Sequence, residues 1–317
     1  MAMRRTHAFV LLAAFVSAGR AVAWQAPPGG SLVGRVPSVD RGGIGAAGGL
    51  SRAAARADPR GGSRDQPAGE GSGPALSRAE MEAFLRQARI VRIRPAPKGI
   101  TGTERATLTD GVLTHDASIQ TIDESRKEFQ TNRSIEFNFR DSWRFNVAAY
   151  LLDKLLDVQM IPATVERSHR GRDASFTWWV DDVLMDEGQR LKGRVRPPDL
   201  RSWNDQMWIV RVFDQLIDNT DRNVGNLLID RAWRVWMIDH TRAFRWQRTI
   251  RSPGNLVRCD RGLLERLRAL DEATLERELG RYLGPMEIRG LLARRDLIVA
   301  HFDRAGPAVL YDRAARP

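Results

Sequence analysis

From Gln25 to Ser77 the chain runs for 53 residues with 13 Gly, 6 Pro and no Phe, Trp or Tyr. Such a stretch holds too little apolar surface to offset the entropy of ordering its backbone, so the folded part must lie beyond it. Residues 24–77 therefore read as a disordered tether, whose six scattered arginines serve solubility. Residues 1–23 have the layout of a secretory signal peptide. Arg4 and Arg5 form the basic start, Ala8 to Ala18 the apolar stretch, and Ala21-Val22-Ala23 the small-residue cleavage site. This predicts an exported protein, periplasmic or secreted, with an uncleaved membrane anchor or a misassigned start codon as alternatives.

No apolar run reaches the roughly 18 residues of a membrane span, which excludes an integral multi-pass protein. The single Cys259 excludes a disulfide framework and a Cys-based zinc site. The net charge of +11 comes with only four lysines, Lys98, Lys127, Lys154 and Lys192, among 50 basic residues. That skew reads as coding bias. Beyond residue 78 the net charge is only +5, so nucleic acid is not expected as a partner.

At Ser77 the pattern changes. Ser77-Arg78-Ala79-Glu80 is a capping box, followed by Met81, Phe84, Leu85 and Ala88 at helical spacing. Residues 89–95 alternate as a strand, and Lys98 to Thr103 form a loop containing Gly99 and Gly102. Asp110-Gly111 reads as a tight turn between strands 105–109 and 112–114, and residues 118–122 as a further strand. Residues 146–158 place Val147, Tyr150, Leu151, Leu155 and Val158 on one helical face. Residues 163–167 and 175–180 are strand-like across a polar turn at 169–173. After Pro197-Pro198 the character becomes helical, with Ser202 as the expected cap, and three helices are expected near 260–269, 271–282 and 285–303, with Asp260 and Asp271 as caps. A strand-rich half (78–182) followed by a helical half (183–317) predicts an α+β fold of two lobes around a cleft.

The chemistry concentrates between Phe213 and Phe244. A helix enters the polar loop Asp218-Asn219-Thr220-Asp221-Arg222-Asn223-Val224-Gly225-Asn226, two short apolar strands follow (227–229 and 234–238), and Asp239 closes the hairpin. One carboxylate and one amide five residues apart thus stand at the mouth of a hairpin that ends on a second carboxylate. Phosphoryl transfer uses such a set, because one carboxylate orients or deprotonates the attacking hydroxyl while amide and carboxylate oxygens hold the metal ions that offset phosphate charge. Asp221 is the expected base, and Asn226 and Asp239 the expected ligands of Mg²⁺ or Mn²⁺, ions that favour hard oxygen donors. An Asp/Asn-rich turn of purely structural meaning is the competing account.

Asp-x4-Asn is the spacing of the protein-kinase catalytic loop. The run resembles the atypical kinases of the phosphatidylinositol-kinase-like superfamily, including HipA-type and secreted FAM20-type kinases, through Asn219, Asp221, Arg222, Asn226 and Ile238-Asp239-His240. Arg242-Ala243-Phe244 resembles the segment that follows the metal Asp in the FAM20 type. Asn223 stands where those families often have His. The resemblance implies a two-lobed protein-kinase-like fold with a strand-rich N-lobe and a helical C-lobe. It also implies ATP as cofactor, loop-supporting roles for Asn219, Arg222 and His240, and phosphotransfer to an acceptor, protein or small molecule, that the sequence does not name. AMP transfer is a variant of that chemistry.

Kinase-like folds hold the phosphates with a Lys on the third strand and orient it with a Glu on the next helix. Here Gln120 and Asn146 fall at those places, where they would form a neutral contact. Lys98 on the glycine-containing loop, or Lys127 or Arg126 after the strand, would supply the missing cation; otherwise the chain is a pseudokinase acting as a binding or scaffold module. Backbone groups near Trp179 to Asp181, at the end of the first lobe, are expected to meet the purine edge, with an indole stacked on it.

Overall fold

The computed structural model describes residues 76–96, 103–130 and 135–314. The residues read as signal and as tether, up to residue 75, and Lys98, Gly99 and Gly102 lie outside them. Helix α1 (Arg78–Gln87) opens on the expected capping box: the Ser77 hydroxyl accepts from the Glu80 amide at 3.3 Å, and the Glu80 carboxylate takes the Ser77 N–H at 2.7 Å. Strands β1 (Arg89–Pro95), β2 (Glu104–Thr109) and β3 (Thr114–Gln120) follow as an antiparallel meander, turned at Gly111, whose φ of 99° suits glycine. Thr114 and residues 118–120, read as parts of two strands, belong to one, β3, which leaves 112–113 and 121–122 outside it and whose alternating Ala117 and Ile119 are buried against Ala106 and Leu108 of β2.

Strands β4 (Asp123–Gln130) and β5 (Ile135–Ser142) form a separate antiparallel hairpin that the sequence did not announce. Six consecutive residues of β4 are exposed, so no apolar alternation marks it. Helix α2 (Arg144–Leu155) follows directly. It is covered on more sides than a one-face reading predicts, because Phe145, Ala148, Ala149 and Leu152 are buried along with Val147 and Tyr150. Strands β6 (Thr164–His169) and β7 (Arg172–Trp178) complete a five-stranded sheet in the order β1-β2-β3-β7-β6, and α1 and α2 pack on β6 and β7.

The helical remainder starts with strand β8 (Val183–Asp186) and helix α3 (Glu187–Gly193). Helix α4 (Leu200–Ile217) is capped not by Ser202 but by Asp199, whose carboxylate accepts from the amides of Arg201 (2.8 Å) and Ser202 (3.2 Å). The two prolines end the preceding segment at 198, so the helix starts at once and the first available side-chain acceptor takes the cap. Strands β9 (Leu227–Asp230) and β10 (Val235–Met237) pair as the expected hairpin, with β8 on the outer side of β9. Strand β11 (Cys259–Asp260), helices α5 (Arg261–Ala269), α6 (Glu272–Leu279) and α7 (Pro285–Ala305), and strand β12 (Leu310–Tyr311), parallel to β11, finish the chain. Asp260 and Asp271 cap α5 and α6 as expected, while α6 ends at Leu279 rather than at 282.

Two features of α7 fix the floor under the polar loop. Fully buried Arg294 donates to the carbonyls of Leu216 and Arg245, each at 2.8 Å, and to that of Gln247. It thereby satisfies a terminal carbonyl of α4 where the helix dipole favours a cation. At Gly290 a Cβ would lie 2.9 Å from the Arg245 carbonyl oxygen, so only glycine lets α7 approach this segment. Among the described residues no helix is long and apolar enough to cross a membrane.

Candidate active site

Helix α4 ends at Asp218, whose left-handed backbone (φ 47°) turns the chain into the polar loop and whose carboxylate pairs with Arg251 at 2.9 Å. The loop is organised around Arg222. Its guanidinium pairs with Asp214 of α4 at 3.0 Å and donates to the carbonyls of Asn226 (3.1 Å) and Ile238 (2.8 Å) and to His240 Nε2 (2.9 Å). Because a guanidinium only donates, His240 Nε2 must accept, which leaves the imidazole proton on Nδ1. Burial holds the pKa of His240 well below its usual value, and the Arg222 charge adds to this, so the ring is neutral. Asn219 joins the same hub. Its amide donates to Asp214 at 3.3 Å and its oxygen accepts the Asp221 N–H at 3.1 Å. Asn223, at the position where His is frequent in the families named above, caps the short turn Val224–Asn226 by accepting from the Gly225 amide at 2.9 Å.

This framework presents three side chains. Asp239 has a left-handed backbone (φ 55°), a conformation that a non-glycine residue keeps only where its surroundings impose it. Its Oδ1 accepts from the Thr241 hydroxyl at 3.1 Å. Asn226 is fixed through its backbone, its carbonyl taking the Ile238 N–H at 3.1 Å, while its side-chain amide reaches only the Asp221 carbonyl at 3.5 Å. The Asp221 carboxylate is 48% exposed and stands 3.7 Å from the Arg242 guanidinium. Partial burial raises its pKa more than Arg242 lowers it, and the nearby Asp239 adds to the rise.

Asn226 and Asp239 line one wall of a cavity of about 260 Å³, and Gln120, Asn146 and Trp179 line the other. That volume is close to the lower end of ligand clefts, roughly 300 Å³. Ile161, Leu228 and Met237 give the cavity an apolar interior suited to a flat ring. A larger groove of about 440 Å³ runs between Met160, Ile209 and Trp233. Two of the arginines that line it are engaged by carboxylates outside the lining, Arg234 by Asp230 and Arg313 by Asp260.

On the N-terminal wall the two neutral side chains do meet. The Asn146 amide donates to Gln120 Oε1 and, at 3.3 Å, to Ser175, and Asn146 Oδ1 accepts the His240 N–H at 2.8 Å. Gln120 in turn donates to Thr103 at 3.1 Å. Asn146 thus ties α2 to the residue beside Asp239. Other expectations fail here. Arg126 and Lys127 lie on the exposed strand β4 rather than on a loop and do not line the cavity, and Arg126 pairs with Glu124 at 2.8 Å. Of the segment expected to offer backbone groups, Trp179 and Val180 line the cavity, whereas Asp181, whose side chain is 64% exposed and pairs with His115 at 2.9 Å, does not. The Trp179 N–H is already given to the Asp116 carbonyl at 3.1 Å, and the Trp179 indole lies under the Arg105 guanidinium at 4.1 Å.

Residues that sequence reasoning passed over also reach the site. Glu136 of β5 pairs with Arg245 (2.7 Å) and Arg242 (3.6 Å), which places the latter guanidinium beside Asp221. Asp141 of β5 is only 5% exposed, and burial, followed by the charges of Asp239 and Asp221, raises its pKa against the opposing effects of Thr241 and Arg242. Its place just before a helix reads in sequence as ordinary capping chemistry. Among the described residues no three His, Cys, Asp or Glu side chains already converge as a metal cage. The oxygen donors present suit a hard divalent ion whose remaining ligands are phosphate oxygens and water, the usual pattern for Mg²⁺.

No protein-family profile matches the chain, and no curated protein matches it. Solved structures do. The structure of hydra Fam20 with sugar superposes with a TM-score of 0.57 at 15% identity, covering 74% of this chain and 92% of that one. A Golgi casein kinase superposes with a TM-score of 0.50 at 14% identity over 75% and 79% of the two chains. The same kinase with Mn/ADP bound gives 0.50 at 13% identity over 74% and 78%. The chain therefore has a kinase-like fold, with a sheet-rich N-terminal part and a helical C-terminal part.

Proposed function

We propose that the protein is an exported atypical kinase of the FAM20 type, a phosphotransferase using ATP with Mg²⁺ or Mn²⁺. The observation that carries this reading is the pairing of Asn226 and Asp239 on one cavity wall, with the Asn226 and Ile238 carbonyls held by Arg222 and Asp221 near enough to Asp239 for their charges to interact. In this reading Asp239 and Asn226 hold the divalent ion, which supplies positive charge against the phosphates. Asp221 accepts the proton of the acceptor hydroxyl, and its raised pKa makes it a better proton acceptor than a solvated aspartate. His240, neutral and spent on Arg222, positions the Asp239 segment and takes no part in proton transfer. Secretory-pathway context comes from the neighbour described as a Golgi kinase and from the signal-like residues 1–23.

The test is incubation of the full chain with Mg²⁺ or Mn²⁺ and ATP labelled at the α or the γ position. Label transfer or hydrolysis should fall by at least roughly 100-fold in Asp239→Ala; no activity above that variant in the wild type overturns the reading, and transfer of the α label alone would redirect it to AMP transfer. The neutral Gln120–Asn146 contact favours a second reading, a pseudokinase that binds partners without chemistry. Thermal stabilisation by ATP and metal that Asp239→Ala abolishes would count against a pure scaffold.

A further inference from the structure

The described lining of the 260 Å³ cavity holds two carboxylates, Asp186 and Asp239, and neither a lysine nor an arginine. With Gln120 neutral, phosphates entering it would meet no cationic side chain among the described residues of the lining. A guanidinium does stand beside Asp221. Arg242 lies 3.7 Å from that carboxylate and 3.6 Å from Glu136, in both cases beyond hydrogen-bond length, and its buried Nε has no hydrogen-bond partner. Glu136 is already committed to Arg245 at 2.7 Å. Arg242 thus keeps its donors unused, although buried donors are nearly always paired.

The fold fixes Arg242 here without drawing on those N–H groups. Its carbonyl accepts from the Thr220 amide (3.3 Å) and from the Thr220 hydroxyl (3.0 Å), which fastens it to the residue before Asp221. Its guanidinium carbon lies 4.8 Å from the centre of the Phe139 ring and 6.0 Å from that of Phe129. Such contacts hold a guanidinium by its face and leave its edge able to donate. The charges of Arg242 and of Asp239, three residues before it, both act on Asp221, so cation, base and proposed metal ligand lie within electrostatic reach of one another.

We propose that Arg242 is a further catalytic residue, donating to the oxygens of the phosphoryl group as it passes to the acceptor and supplying positive charge that Gln120 does not. The inference rests on the phosphotransferase reading and deepens it. In that step the acceptor oxygen bonds to phosphorus, its proton goes to Asp221, and the bond from phosphorus to ADP breaks with its electron pair leaving on ADP. Arg242 exchanges no proton and offsets the charge spread over the phosphoryl oxygens, which a planar fork of donors suits.

Calorimetry on the full chain with Mn²⁺ compares binding of ADP with binding of ADP plus aluminium fluoride, a stand-in for the phosphoryl group in transfer. Arg242→Gln should weaken the aluminium fluoride complex at least roughly tenfold while leaving ADP within about twofold. Arg242→Lys, which keeps the charge, should recover part of that loss. An equal loss for both ligands makes Arg242 a structural tie between the β4–β5 hairpin and the loop, and a smaller loss in the aluminium fluoride complex denies it contact with the phosphoryl group; either result overturns the proposal while the phosphotransferase reading stands. Where Arg242→Gln fails to fold, Arg242→Lys decides alone: a loss of at least about threefold confined to the aluminium fluoride complex upholds the proposal, and any other result overturns it. Absence of ADP binding in the wild type removes both.

Discussion

On the cavity wall built by residues 214–240, a partly buried guanidinium gathers a carboxylate, two carbonyls and a neutral histidine, and carries two acidic side chains toward the site. On the wall built by β3 and α2, the facing pair is two amides joined by a neutral hydrogen bond. The two walls differ in how order is achieved. The first is held by charge, so its geometry depends on every partner being present. The second is held by amide complementarity, which tolerates the absence of ligand because no buried charge waits for one. A site of this kind is preorganised on the metal side and electrostatically passive on the side where kinase-like folds place a lysine.

If charge holds the first wall, removing the hub should be the most damaging change. Arg222→Met takes the ion pair from Asp214, whose side chain is only 11% exposed and which keeps only the Asn219 amide, and removes the guanidinium donor from the Asn226 and Ile238 carbonyls. A loss of about 3–5 kcal/mol is expected, measured by urea unfolding of the full chain. A loss below about 1 kcal/mol would mean that the loop is held by its turns alone and that the contrast between the walls is false.

The second wall can be converted to the charged plan. Gln120→Lys alone should destabilise, since an ammonium would be buried beside a neutral amide. Gln120→Lys with Asn146→Glu should recover part of that loss, through a coupling of roughly 0.5–3 kcal/mol in a double-mutant cycle. The pair should also tighten ATP binding, read by calorimetry. Additive single effects would show that the two positions do not face each other as charges could.

The first wall was readable in sequence because its bonds are local. In the loop from Asp218 to Asn226 the side chains of Asn219, Asn223 and Asn226 bond to groups within five residues, and that turn chemistry is written in residue order, while Arg222 reaches across to Ile238 and His240. The β4–β5 hairpin was not readable, since its first strand is exposed along most of its length and shows neither alternation nor apolar content. With that hairpin went Glu136 and Asp141, whose importance depends on the long-range approach of β5 to Thr241. Ser202 and Asp199 were equally good caps by type, and only the tight exit from Pro198 decides between them. Arg126 and Lys127 were assigned to a loop for the same reason that the hairpin was missed.

The smallest effect concerns a bond that joins the sheet to the helical part away from either wall. Glu166 of β6 accepts from Arg281 at 2.5 Å and from the Tyr282 hydroxyl at 3.1 Å, and the Arg281 bond, outweighing burial, holds its pKa below the usual value. A carboxyl whose pKa is lowered on folding adds stability that is present above its unfolded value, near roughly 4.3, and that is lost as pH falls toward the folded value, because the unfolded chain then binds the extra proton. Glu166→Gln should therefore lower the melting temperature slightly at pH 7 and flatten the decline of stability between about pH 5 and pH 3. Arg281 is 72% exposed, so salt should erode the wild-type advantage. Should 0.5 M NaCl leave the difference between wild type and variant intact, the half-buried Tyr282 hydroxyl, and not the ion pair, is what ties β6 to the helical part.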